Sequence, residues 1–157
     1  MLNPQLTTLV ITEQGMRNVQ AILERLRHET KAKYLLLVEK SGQTIASAGD
    51  QNPYAMALSA LVAGAFSSTR EIARLLGEPE FKTMFQQGAK FNLFIALLDT
   101  HDMLTVVFDE NSTLGMIKLK SQQLGIELSR EITAMYQERP TPLASGGKDA
   151  AGGRVGE

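Results

Sequence analysis

Met16, Val19, Ile22, Leu23 and Leu26 place apolar side chains at helical spacing behind Thr12, a residue able to cap a first turn. They predict an amphipathic helix that ends near Thr30. A short apolar piece, Leu9-Val10-Ile11, precedes it. The period then changes. Tyr34-Leu35-Leu36-Leu37-Val38 is too short for a helix between breakers and reads as a buried strand, which Lys40-Ser41-Gly42-Gln43 turns into Thr44-Ile45-Ala46-Ser47-Ala48 as a hairpin. After the loop Gly49-Asp50-Gln51-Asn52-Pro53, a longer helix is predicted over 54–76. Leu58, Leu61, Val62, Ala65, Ile72, Leu75 and Leu76 form its apolar stripe, read as the inward face, and Gly77 is its stop.

Three strands follow, a weak one over 81–87 and clearer ones over 91–98 and 103–108, the last two joined by the turn Asp99-Thr100-His101-Asp102. A final helix starts near Ser112-Thr113, turns Ile117, Ser121, Leu124, Leu128, Ile132 and Met135 inward, and stops before Pro140. Residues 140–157 offer almost nothing to bury, so ordering them would cost backbone entropy without return, and they are expected to be a disordered tail behind a domain over 1–139. The order α-β-β-α-β-β-β-α groups a hairpin and a meander, connections that favour antiparallel pairing with helices on the faces of one sheet. The class is α+β. No repeat of 20–50 residues is visible, which excludes a solenoid.

Composition narrows the function classes. The 157 residues suit one domain, and 16 Lys+Arg against 17 Asp+Glu leave a net charge of −1, with no basic excess to neutralise nucleic-acid phosphates. The absence of Cys excludes disulfides, thiolate metal sites and cysteine nucleophiles. The opening Met1-Leu2-Asn3-Pro4-Gln5 has no leader pattern and the longest apolar runs are strand-sized, so a cytoplasmic protein without membrane insertion is expected.

Candidate chemistry is sparse. Gly146-Gly147-Lys148 resembles the end of a phosphate loop, but Asp149 stands where a Ser or Thr should meet magnesium, and no strand precedes it. His28-Glu29 lacks the second His of a zinc helix, since Ala32 occupies that place, and His101 in its turn has no local partners for a metal site or a catalytic triad. Asp109-Glu110 precede a helix N-terminus, where the dipole favours acids, and Lys118 and Lys120 read as a solvated face able to meet an acidic partner. No catalytic residue, cofactor or metal site is expected.

The second helix is the informative element. Opposite its apolar stripe, Ala57, Ala60, Ala63, Gly64, Ser67 and Ser68 form a band of small side chains, although a mid-helix Gly costs about 1 kcal/mol relative to Ala. Close approach by another chain would explain the band, and so would contact with another part of the same fold.

Several ordered stretches resemble the Roadblock family of small dimeric domains, in particular its bacterial mutual-gliding branch. They are Leu36-Leu37-Val38-Glu39-Lys40-Ser41-Gly42-Gln43 with Ala46-Ser47-Ala48-Gly49, and Leu58-Ser59-Ala60-Leu61-Val62-Ala63-Gly64 with Ile72-Ala73-Arg74-Leu75-Leu76-Gly77-Glu78. Further matches are Phe81, Phe85-Gln86-Gln87-Gly88-Ala89-Lys90, and Val106-Val107-Phe108-Asp109-Glu110-Asn111-Ser112-Thr113-Leu114-Gly115 leading into Lys118-Leu119-Lys120. The likeness runs over about 16–136.

The resemblance implies a homodimer in which second helices pack side by side and third strands pair, merging two five-stranded antiparallel sheets. Ala57, Ala60, Phe81, Met84, Phe85 and Gln87 are the expected dimer contacts. It implies a partner, a Ras-like small GTPase of the MglA type with two protomers per GTPase, whose switch regions dock on Ala60, Ala63, Gly64, Ser67, Ser68, Glu71 and Arg74. The implied activity is stimulation of the partner's GTP hydrolysis without an active site in this chain, in cell polarity or gliding motility, with enrichment at a cell pole. One stretch departs from the pattern: relatives can carry a short acidic amphipathic segment after the last helix, whereas here that region is Gly/Ala-rich with Lys148 and Arg154. A dimeric scaffold or adaptor with no effect on hydrolysis is the alternative, and a small-molecule sensor is a third class for which no polar lining can be read.

Overall fold

The computed structural model describes residues 7–50 and 52–138, so the expected tail over 140–157, with Gly146-Gly147-Lys148, lies outside the described residues. The elements run β1 (Thr7–Leu9), α1 (Glu13–Thr30), β2 (Tyr34–Val38), β3 (Thr44–Gly49), α2 (Ala55–Leu76), β4 (Thr83–Gln87), β5 (Asn92–Leu97), β6 (Met103–Phe108), α3 (Leu114–Met135) and β7 (Tyr136–Glu138). Caps fall where hydroxyl residues were expected. Thr12 Oγ1 accepts from the Gly15 N–H at 3.0 Å, and Thr113 Oγ1 from the Met116 N–H at 3.2 Å. Gly77, in the left-handed region at φ 80°, closes α2.

Five strands form one antiparallel sheet in the order β3-β2-β6-β5-β4, as the α+β reading requires. β2 is an inner strand with helices on both faces of the sheet, so its five residues are buried without alternation. One face meets α1 and α3, where Val19, Leu23 and Leu26 pack with Leu35, Leu37, Leu104, Val106, Ile117, Leu128 and Ile132. The other face meets α2, where Val62 and Phe66 pack on Leu36, Val38, Ile95 and Met103. Full burial of each such side chain contributes about 1.5–3 kcal/mol.

Two expectations need correction. The last helix ends at Met135 rather than running on toward Pro140: Tyr136–Glu138 form β7, which pairs antiparallel with β1, Leu9 opposite Tyr136, in a two-stranded ribbon that the pattern did not announce. The stripe assigned to the core on α2 is turned by about a quarter turn from the face that is buried. Ser59, Val62, Phe66 and Ala73 point inward, while Leu61, Ile72, Leu75 and Leu76 are 70%, 50%, 78% and 68% exposed. Helical periodicity identifies an apolar arc but not what covers it.

Candidate functional site

The outer side of α2 is an unusual helix surface. Ala57, Leu61, Gly64, Ser68, Glu71 and Leu75, spaced three or four residues apart, make one exposed ridge with large apolar side chains on either side of a low, small-residue saddle. A Cβ added at Gly64 would meet nothing within 4 Å, so the saddle is open. The ridge carries a single charge, Glu71, bonded at 2.8 Å to Arg74 of the neighbouring flank, both about 70% exposed. Such a surface pair contributes little to stability.

Part of the small-residue band has an intramolecular cause. Gly42, at φ 102° in the β2–β3 turn, faces α2 so closely that a Cβ there would lie 3.5 Å from Ala60 Cα and 3.4 Å from Ala63 Cβ. Ala60 and half-buried Ala63 therefore let the hairpin turn approach the helix, and Ser59 Oγ lies 2.6 Å from Thr44 Oγ1 on the same side. Ser67 continues this flank exposed. The opposite flank carries Leu58, Ala65, Ile72 and Leu76; Leu58 is half-buried and joins the α2-side cluster to which Met84 of β4 also belongs, while Ile72 and Leu76 are exposed.

β4 pairs only with β5 among the described residues, which leaves its other edge open. Met84 joins the α2-side cluster, half-buried, whereas Phe85 points to the other face, stacks on Phe108 at 6.3 Å and stays 39% exposed. Phe81 is half-buried ahead of the strand and Gln87 is exposed at its end. An open apolar edge of this kind is a template for pairing. The expected docking and dimer residues thus fall into three places: the open ridge (Ala57, Gly64, Ser68, Glu71), the hairpin flank (Ala60, Ala63, Ser67, Arg74), and the β4 edge (Phe81, Met84, Phe85, Gln87). Leu61, Ile72, Leu75 and Leu76 were missed as surface residues. Their signal was present, since a helix with small residues over most of its inward arc leaves its large ones outside.

The remaining polar candidates are ordinary. His28 is exposed, and His101, in the left-handed region at φ 67°, sits in the β5–β6 turn with Nε2 3.5 Å from Glu80 Oε1. Asp109 accepts from the Asn111 N–H at 2.9 Å just before α3, and Lys120 is held by Glu29 at 3.1 Å. The Glu80 and Glu29 carboxyls are held below their ordinary range by hydrogen bonds from Lys82 and Lys120. Among the described residues no group of three His, Asp or Glu could hold a metal ion, and no helix is long and apolar enough to cross a membrane.

Comparison with known proteins agrees with this architecture. No curated protein sequence matches the chain significantly. The structure is similar to Myxococcus xanthus MglB, at 32% identity and TM-score 0.76, over 84% of this chain and 100% of that one. It is similar to the gliding protein MglB from Thermus thermophilus, at 30% identity and TM-score 0.76, over 81% and 97% of the two chains. A third likeness is to an MglB with a tetrameric arrangement, at 30% identity and TM-score 0.78, over 82% and 97%. The model of the Roadblock/LC7 domain matches residues 18–108, from within α1 to the end of β6. The chain belongs to the Roadblock/LC7 domain family and, within it, has MglB proteins among its structural relatives.

Proposed function

We propose that this chain is a cytoplasmic, homodimeric regulator of a Ras-like GTPase of the MglA type, acting in cell polarity or motility from a position enriched at a pole. It accelerates the partner's GTP hydrolysis without an active site of its own. The observation that carries this reading is the open ridge of α2: Leu61 and Leu75 on either side of Gly64 and Ser68 expose apolar area that no described part of the chain covers. Covering it with a partner's switch loops would hold those loops in one conformation, which is how a protein lacking catalytic groups accelerates a partner's hydrolysis. Two protomers meet one GTPase.

In the same reading the dimer forms through β4 and the α2 flank beside it. Strand pairing satisfies the open edge, and Ile72 and Leu76 are covered together with Met84 and Phe85. Ala60 lies on the hairpin side, so its smallness serves the fold as well as any docking contact.

The test is phosphate release by a purified MglA-type GTPase with and without the chain. A concentration-dependent acceleration is expected. Tight binding with an unchanged rate would replace this reading with a scaffold or adaptor role, and absence of binding would remove the GTPase as partner.

A further inference from the structure

The face of the sheet opposite α2 is only partly roofed. α3 lies over β5 and β6, and between the helix and the sheet edge at Lys82 and Thr83 runs a groove of about 440 Å³, within the range of small-molecule sites. Its depth comes from small side chains. Ala96 lowers the floor beside Phe94 and Leu98, and Gly125 lets α3 settle so close that a Cβ there would touch Leu98 at 3.4 Å.

Ser121 lines this groove from α3 and is 2% exposed, yet its Oγ has no hydrogen-bond partner. A buried hydroxyl left unpaired costs stability unless something else satisfies it. Two lysines, Lys82 and Lys118, stand at the groove against a single acid, Asp99. Lys82 is held by Glu80 at 2.9 Å, while Lys118 has no ion-pair partner among the described residues. Ile126, 61% exposed, adds an apolar lip.

We propose that the α3–β5 groove binds a small amphipathic monocarboxylic acid. Its hydrocarbon lies on Phe94, Ala96, Leu98 and Ile126, and its carboxylate accepts from the Ser121 hydroxyl and faces Lys118. The site is on the opposite face from the α2 ridge and is independent of the GTPase reading.

The test is an NMR titration of the ¹⁵N-labelled full chain with sodium decanoate below its micelle concentration. 1-Decanol serves as the uncharged control. Saturable shifts are expected at Ala96, Leu98, Ser121, Gln122 and Ile126, with Kd on the order of 0.1–1 mM. Decanol should bind about tenfold more weakly, and Lys118→Glu, at an exposed position, should weaken decanoate by about tenfold. Ser121→Ala should separate ligand from fold: the unliganded protein melts about 2–5 °C higher because an unpaired hydroxyl is gone, while decanoate binds several-fold more weakly. Shifts centred on Leu61 and Leu75 of α2, equal affinity for decanol and decanoate, or unchanged binding in Lys118→Glu would each overturn the proposal, as would no binding at millimolar decanoate.

Discussion

The Tyr136 hydroxyl lies 2.8 and 2.9 Å from the two oxygens of the Asp102 carboxylate and donates to it in the protein interior. Asp102 is fully buried and also accepts from the Lys40 backbone N–H at 3.0 Å and the Thr100 hydroxyl at 2.8 Å. The Lys40 ammonium sits 4.6 Å from the Tyr136 ring centre. One carboxylate thus ties the end of α3 to the β5–β6 turn and to the start of the β2–β3 turn. Tyr136→Phe removes a hydrogen bond to a charged, buried acceptor, and a loss of about 1.5–3 kcal/mol in denaturant unfolding is expected. A loss below about 0.5 kcal/mol would mean that the other donors suffice.

The same group sets a pH dependence. Burial, the largest influence, raises the Asp102 carboxyl above its ordinary value of 3.8 despite its hydrogen bonds. The native state therefore holds this proton more tightly than the unfolded chain, and its contribution to stability declines as pH rises from 3.8 to the raised native value, then levels off. Glu29 and Glu80, held low by lysines, run the other way and lose stability as pH falls below 4.5. Subtracting the stability profile of Asp102→Asn from that of the natural protein isolates the first effect. A difference that rises with pH in that window would contradict it.

Gly64 separates folding from docking. Its added Cβ would meet open space, so Gly64→Ala should stabilise the isolated protein by about 1 kcal/mol through helix propensity. Gly64→Arg should fold equally well but lose at least about 2–4 kcal/mol of GTPase binding, because a long charged side chain stands in the saddle. Full stimulation by a stably folded Gly64→Arg protein would place docking elsewhere.

The exposed leucines and isoleucine test the two α2 contacts separately. Leu61→Glu and Leu75→Glu should change monomer stability by less than about 0.5 kcal/mol and abolish most GTPase binding. Ile72→Glu and Leu76→Glu should shift the light-scattering mass toward the monomer. A dimer unaffected by both flank variants would exclude that flank from the interface.

Arg70→Ala and Arg74→Ala should keep phosphate release within about tenfold of the unmodified protein, whereas loss of an inserted arginine finger costs about 10³–10⁵ in rate. Arg74 is already engaged by Glu71 at 2.8 Å. A thousand-fold drop with binding retained would make this chain an arginine donor.

By itself the sequence determined the elements. The periods of α1 and α3, their Thr caps, the unbroken apolar run of β2 and the bounds of β6 are local properties, because each depends on spacing and on residues a few positions away. Two things depended on what lies far away in the chain. The β1–β7 ribbon joins the two ends of the domain, and the Asp102–Tyr136 bond spans 34 positions; neither leaves a mark in local pattern. The rotation of α2 was decided by tertiary structure for a sharper reason. Its inward arc needs only Val62, Phe66 and small residues to sit on a sheet already filled by Leu36, Val38, Ile95 and Met103, so its larger side chains are left on the surface. Hydrophobicity along a helix states which residues avoid water. Which of them the fold covers, and which it leaves for another molecule, is settled only when the sheet takes its place beneath the helix.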